Sequence, residues 1–159
     1  MLEIRKYPDP ALRKKAKRVK SVGTEEKQLM EDMARAMYNS SGVGLAAPQV
    51  GIPKRVIVAD AGDGLLKMAN PEISSKRRSS SLEEGCLSVP ETSVTIKRAL
   101  EISVSFVDEK NKNQKKCFSD LTARVIQHEI DHLEGKLIID YLPWYAKILE
   151  RPRRKKCRK

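Results

Sequence analysis

Two histidines stand four residues apart in His128-Glu129-Ile130-Asp131-His132, and they are the only histidines in the chain. At this spacing both imidazoles project from one face of an α-helix, so both can bind a single metal ion. Glu129 lies beside the two ligands without being one of them. Its carboxylate can accept a proton from water held by the ion, which is the general-base role of this spacing in metallohydrolases. The segment therefore predicts a metal-dependent hydrolase.

A catalytic ion usually keeps three protein ligands and one open position. Because no histidine remains, the third ligand is a carboxylate or a thiolate. Cys86 is the favoured candidate, since Gly85 permits close approach of the backbone and Pro90 marks a turn just after it. Cys117 is its rival, but it stands in an alternating, strand-like run where we expect it to be buried as a small apolar side chain. Cys157 belongs to the basic end of the chain, where we expect a free, exposed thiol.

A loop of small residues runs from Gly42 to Gly51. Its glycines and alanines leave the backbone open to a ligand, and Gln49 supplies a side-chain amide donor of the kind that stabilises an oxyanion. A purely structural turn explains this composition equally well. The loop alone does not decide between the two.

The composition limits the class of protein. The chain has 159 residues, enough for one domain, and 40% of them are hydrophobic and 33% charged, which excludes a disordered or membrane-embedded chain. Its longest apolar runs are far shorter than a bilayer span, so we expect no membrane association. The first residues lack the apolar core of a secretory signal, and the three cysteines are an odd number. We therefore expect a reducing cytoplasm of bacterial type, with an organelle of bacterial descent as an open alternative.

The positive charge is distributed unevenly. The net charge is +11, of which residues 151–159 contribute seven positive charges and no acid, leaving +4 for residues 1–150. We expect residues 1–150 to form one catalytic domain and residues 151–159 a flexible basic tail, because Pro152 disfavours a helix there. The tail either solubilises the chain or holds it near ribosomal RNA. A second basic cluster, Arg13 to Lys20, is most simply a solvated surface segment.

The apolar pattern predicts two helices and several strands. The first helix spans Glu25 to Asn39 with Thr24 as its cap, and the second begins after Ser119 and ends before Gly135. The first helix buries a stripe of Leu29, Met33, Ala36 and Met37. The second carries a stripe, expected to face the core, of Leu121, Val125, His128 and His132. The predicted strands are Arg55 to Asp60, Ser93 to Lys97, Glu101 to Val107, Gln114 to Phe118 and Leu137 to Tyr141. A hairpin turn at Asp108 to Asn111 favours an α+β fold of mostly antiparallel sheets packed around the HExxH helix.

Three motifs resemble those of peptide deformylases, and they occur in the order of that family. They are GVGLAAPQ at 42–49, EGCLS at 84–88 and QHEIDHLEG at 127–135. The similarity covers most of the chain, from YPDPALRKKAKRV near the start through NPEI at 70–73 to GKLIIDYL at 135–142. Zinc peptidases share only the HExxH segment and lack the cysteine motif, so the resemblance is specific.

This resemblance implies removal of the formyl group from the amino-terminal formylmethionine of new polypeptides, with release of formate. By position it implies that one divalent ion is bound by Cys86, His128 and His132. Glu129 then moves protons, while Gln49 and the backbone N–H of Leu87 stabilise the oxyanion. Val43 and Gly44 would hold the substrate backbone. The implied ion is Fe²⁺, although Zn²⁺, Ni²⁺ or Co²⁺ can bind the same ligands.

Two other interpretations fit part of the sequence. An HExxH zinc peptidase would take a histidine or glutamate as its third ligand, where this chain offers Cys86. A basic, nucleic-acid-binding module with a structural zinc would need a fourth protein ligand. Only 4% of the residues are aromatic, which leaves few platforms for stacking on single strands.

We also expect Val43 and Val125 to line an apolar slot for the methionine side chain of a substrate.

Overall fold

The computed structural model describes residues 2–144 of the chain. The helices are α1 (Thr24–Asn39) and α2 (Asp120–Leu133). The strands are β1 (Gly44–Ala46), β2 (Val56–Ala59), β3 (Leu66–Arg77), β4 (Ser80–Cys86), β5 (Val89–Arg98), β6 (Glu101–Val107) and β7 (Asn113–Ser119). Short 3₁₀ helices span Pro10–Arg13, Ala47–Val50 and Ile138–Tyr141. Within residues 2–144, no helix is both long and apolar enough to cross a membrane. The predicted basic tail, including Cys157, lies outside the described residues.

The strands form two antiparallel sheets. The first has five strands in the order β1-β2-β3-β6-β7, and the second pairs β4 with β5. Helix α2 contacts both sheets, because Ala123 and Ile126 pack against the first while Arg124 donates a 2.9 Å hydrogen bond to the Ile96 carbonyl of β5. The predicted α+β fold, with sheets arranged around the HExxH helix, is confirmed.

Alternation along β2 places the two helices on opposite faces of the larger sheet. Val56 and Val58 pack into the cluster that contains the apolar stripe of α1. Ile57, between them, packs into the cluster that contains α2. Since successive side chains of a strand point to opposite faces, this strand is buried on both sides. Helix α2, which carries the predicted metal ligands, thereby packs against a strand that is buried on both faces.

Helix α1 begins one residue earlier than predicted. Gly23 occupies the cap position, and its N–H donates to Glu26 Oε2 at 3.2 Å. The assignment of Thr24 as the cap was therefore wrong, because Thr24 is already the first helical residue and Glu26 satisfies the free amide instead. The predicted apolar stripe is buried as expected.

Helix α2 ends as predicted, but its first turn differs. Ser119 is the cap residue, and Gly135 adopts a left-handed φ of 75° after the helix, where a side chain would be strained. Leu121 is 51% exposed, so the expected core-facing stripe fails at its first member. The reason is that Leu121 borders an open cavity instead of a sheet.

The strand predictions need correction at four places, where one predicted strand is wrong and three strands were not predicted. The run Leu137 to Tyr141 is not a strand, since Ile138–Tyr141 forms a 3₁₀ helix whose Asp140 carboxylate accepts the Leu137 N–H at 2.8 Å. Short apolar runs do not by themselves distinguish the two structures. Strand β1 was missed because it spans only three residues of the small-residue loop, and β3 and β4 were missed because proline, glycine and serine interrupt their pattern. In β3, Asn70 has a φ of 50°, and its side chain holds both backbone groups of Val19 at 2.9 Å.

Candidate metal centre and its cavity

The structure brings the three predicted metal ligands together. His128 and His132 lie one turn apart on α2, with their Nε2 atoms 3.2 Å apart. Cys86 ends β4 opposite them, and its Sγ lies 3.3 Å from His132 Nε2. All three donor atoms lie within 4.8 Å of one another.

This arrangement fits a single ion. Two imidazole nitrogens bound to one tetrahedral ion at about 2.1 Å lie roughly 3.4 Å apart, close to the spacing of the histidines. Among the described residues the cluster contains three donors and no fourth, which matches an open catalytic site more closely than a closed structural one. The third potential donor in the cluster is Cys86 Sγ, the candidate that the sequence favoured.

Glu129 lies beneath this cluster and is 3% exposed. Its Oε2 atom is buried without a hydrogen-bond partner among the described residues. Burial raises the pKa of Glu129 to about 7, because a carboxylate loses its hydration in this position. Gly44 makes the position possible, since a Cβ on Gly44 would lie 2.2 Å from Glu129 Oε1. The glycine of the first motif therefore provides the space for the carboxylate of the third.

Gln49 is held in one orientation beside the ligands. Its Oε1 accepts the Ala46 N–H at 2.8 Å, which fixes which end of the amide is the donor. Its Nε2 then donates to Ser88 Oγ at 3.1 Å and lies 3.8 Å from Cys86 Sγ. The side chain is 1% exposed, so little freedom remains. The structure thus places a fixed amide donor at the predicted site.

A cavity of about 610 Å³ opens next to the metal ligands. Its lining includes the predicted substrate-contact residues Val43, Gly44, Leu87 and Val125. Val43 is 48% exposed at the mouth, while Val125 is buried. The Leu87 carbonyl accepts a hydrogen bond from Lys6 Nζ, so the N-terminal segment also contacts the cysteine motif. Every residue predicted for the site borders this cavity or the ligand cluster.

A buried charge network behind His128 was not predicted. Glu84 Oε2 lies 3.0 Å from His128 Nδ1, and both Glu84 oxygens accept from Arg98, at 2.7 and 2.9 Å. Arg124 donates to the same carboxylate at 2.7 Å. Burial alone would raise the pKa of Glu84, but the hydrogen bonds with His128 and Arg98 outweigh it and lower the pKa to about 2. The carboxylate thus stays ionised and orients the imidazole, as partners of metal-binding histidines commonly do.

Only the proximity of Glu84 to Cys86 in the sequence could have indicated this network. Nothing in the chain shows that Arg98 and Arg124, on different elements, would meet the same carboxylate. Ser88, which is fully buried and accepts from Gln49, was also not singled out.

The expectation for Cys117 was wrong. Its side chain is exposed on β7 and lies 3.3 Å from Ser103 Oγ. Its strand is at the edge of the larger sheet, so the alternating pattern there does not imply burial. Cys117 nevertheless lies outside the metal cluster, as expected.

The chain is similar to known proteins over most of its length. Residues 1–147 match the family model described as polypeptide deformylase. The peptide deformylase of Nitrosococcus oceani is 46% identical over 144 residues, covering 89% of this chain and 86% of that one. The peptide deformylase of Endomicrobium trichonymphae is 43% identical over 159 residues, covering 98% and 95% of the two chains.

Solved structures of peptide deformylases are also similar to this chain. The crystal structure of peptide deformylase from Thermotoga maritima has a TM-score of 0.87 at 44% identity, covering 90% of this chain and 98% of that one. The enzyme from Synechococcus elongatus, in complex with actinonin, has a TM-score of 0.88 at 38% identity and covers 94% of this chain and 82% of that one. Together with the geometry of the site, these similarities show that the chain belongs to the polypeptide deformylase family.

Proposed function

We propose that this chain hydrolyses the formyl amide at the amino terminus of newly made polypeptides, releasing formate and leaving a free amine. One observation carries the proposal. In a chain of this family, the donor atoms of Cys86, His128 and His132 converge within 4.8 Å beside the buried Glu129 carboxylate and the fixed Gln49 amide. All of these groups except His132 line one open cavity.

Cys86, His128 and His132 would hold one divalent ion. When bound, such an ion supplies Lewis-acid chemistry, which polarises a carbonyl oxygen and makes water easier to deprotonate. Fe²⁺ is our proposal for the native ion, following the family resemblance, with Zn²⁺, Ni²⁺ or Co²⁺ as substitutes. Intrinsic affinity favours zinc over ferrous iron at such a site, so the ligands do not decide the metal. Metal analysis after anaerobic purification would identify it.

Glu129 accepts a proton from the attacking water and passes it to the departing amine nitrogen. Its partner-free Oε2 atom leaves an oxygen available for this transfer. Gln49 Nε2 and the Leu87 N–H donate to the negative charge that develops on the formyl oxygen. Because the Ala46 N–H already fixes the Gln49 amide, its donor needs no reorientation during the reaction.

The first motif positions the substrate. Gly44 begins β1, which lies at the edge of the larger sheet, so its backbone can pair with an extended peptide. Val43 and Gly44 hold the peptide backbone, while Val43 and Val125 contact the methionine side chain. Hydrolysis of formyl-Met-Ala, followed as formate release, tests the reaction, with acetyl-Met-Ala as the matched control. Turnover of the acetyl peptide at the same rate would contradict a formyl-specific site.

A labelling experiment tests the thiolate ligand. A bound ion should shield Cys86 from alkylation, and chelation should expose it, while the exposed Cys117 reacts in both states. Unchanged labelling of Cys86 after chelation would exclude it as a ligand.

We further propose that the enzyme acts in the cytoplasm and that residues 151–159 hold it near ribosomal RNA through phosphate contacts. The support is their seven positive charges without an acid. Deletion of these residues should leave hydrolysis of formyl-Met-Ala unchanged but weaken co-sedimentation with ribosomes. Equal sedimentation of the full and shortened chains at every salt concentration would assign the tail a solubilising role instead.

A further inference from the structure

A second cavity, whose lining shares no residue with the first, is strongly cationic. It has a volume of about 380 Å³ and forms where the β3–β4 turn, the end of β5 and the last turns of α2 meet. Five cationic side chains line it, namely Lys76, Arg78, Lys97, Arg98 and Lys136. Among the described residues, Asp131 is the only carboxylate in its lining, and Arg98 already pairs with it at 2.8 Å. We call this cavity the basic groove.

Three of these cations have no carboxylate partner in the described part of the chain. Arg98 is buried between Glu84 and Asp131 and serves the fold. In contrast, Lys76, Lys97 and Lys136 are exposed and form no ion pair with any residue of the described chain. The Lys136 ammonium lies 5.1 Å from the centre of the Tyr141 ring, which favours its position at the groove. The groove therefore presents three positive charges that no carboxylate of the described residues neutralises.

A second segment with exposed cations lies beside the groove. Arg13 donates to the Gly135 carbonyl at 3.3 Å, which brings the Arg13–Lys20 segment next to Lys136. Within that segment, Lys14, Lys17 and Lys20 are exposed and without ion pairs among the described residues. A single phosphate cannot contact charges spread over both the groove and this segment. A ligand with phosphates in a row can.

We propose that the basic groove and the Arg13–Lys20 segment bind the phosphate backbone of an RNA strand. The concave shape disfavours a flat membrane surface. A protein partner would require apolar anchors, but of the exposed large hydrophobic residues described, only Tyr141 lines the groove. Contacts from lysines to phosphates need no base recognition, so the binding is independent of sequence. This site is distinct from the metal centre and from residues 151–159.

The test uses the full chain and a labelled single-stranded RNA of about 20 nucleotides, with affinity measured by fluorescence anisotropy between 50 and 200 mM KCl. The variant Lys76→Gln/Lys97→Gln/Lys136→Gln removes three phosphate contacts. The slope of log affinity against log salt should then fall in magnitude by about two, since each contact to single-stranded nucleic acid contributes about 0.7. Between 50 and 200 mM KCl the affinity of the unmodified chain should fall by a certain factor. The corresponding factor for the variant should be about 18 times smaller.

A matched control separates a site from general charge. Lys27→Gln/Lys110→Gln/Lys112→Gln removes the same charge from exposed lysines on α1 and the β6–β7 turn. Its salt slope should stay unchanged. The groove effect should persist in a chain lacking residues 151–159, so failure of the tail proposal would not affect this one. Equal slopes for both triple variants would overturn the groove. The proposal would also be overturned if the chain bound anionic phospholipid vesicles or inorganic phosphate but did not bind RNA.

Discussion

Gly44 is the position where the smallest side chain should have the largest effect on catalysis. A Cβ there would lie 2.2 Å from Glu129 Oε1 and 2.8 Å from both Glu129 Cδ and Val125 Cγ1. Non-bonded carbon atoms pack at about 3.5–4.0 Å, so Gly44→Ala forces the Glu129 carboxylate to retreat by about 1 Å. Because β1 is held by β2 on its inner side, the backbone cannot easily move instead.

The size of the effect follows from that displacement. A catalytic group misplaced by about 1 Å costs about 10²-fold in rate, equivalent to about 2.7 kcal/mol. Overpacking should also lower the free energy of unfolding by about 1–3 kcal/mol. We therefore expect kcat/KM for formyl-Met-Ala to fall about 10²-fold while metal content is retained. Formate release, metal analysis and thermal unfolding measure the three quantities.

Two controls isolate the cause. Gly85→Ala adds the same side chain where no atom of the described residues lies within 4 Å, and it should leave the melting temperature unchanged. In a Glu129→Ala background, Gly44→Ala should destabilise the chain much less, because its main clash is absent. If Gly44→Ala hydrolyses formyl-Met-Ala at the rate of the unmodified chain, the proposed role of Gly44 in making room for Glu129 is wrong.

Three further variants test other parts of the structure. Glu129→Gln should keep the metal and lose at least about 10²-fold in kcat, because it preserves shape but removes the proton acceptor; retention of a tenth of the activity would exclude that role. Gly135→Ala should lower the free energy of unfolding by about 1–3 kcal/mol, because its φ is +75° and its Cβ would lie 2.5 Å from the Arg13 carbonyl oxygen, and unfolding in urea measures this. Arg124→Met should lower the free energy of unfolding by about 3 kcal/mol, because it removes a hydrogen-bond donor of the buried Glu84 carboxylate. An unchanged midpoint of unfolding in urea would show that the network is dispensable for stability.

Local patterns carried much of the correct prediction. The spacing of His128 and His132 places two imidazoles on one face of any helix, whatever surrounds it. The apolar stripe of α1 and the alternation in β6 likewise follow from the periods of helix and strand. The errors occurred where such periods are short or interrupted, as at Leu137 to Tyr141 and around Asn70.

By itself, the sequence determined the helix that carries HExxH, the α+β class and the motifs that place the chain in its family. Only the tertiary structure decided which residues meet those motifs. Gly44 approaches Glu129 because β1 packs beside α2, and Glu84 reaches His128 because β4 lies across the same helix. The basic groove likewise combines residues far apart in the chain. Contacts of this kind depend on packing between elements, whereas periodicity constrains only neighbours within one element.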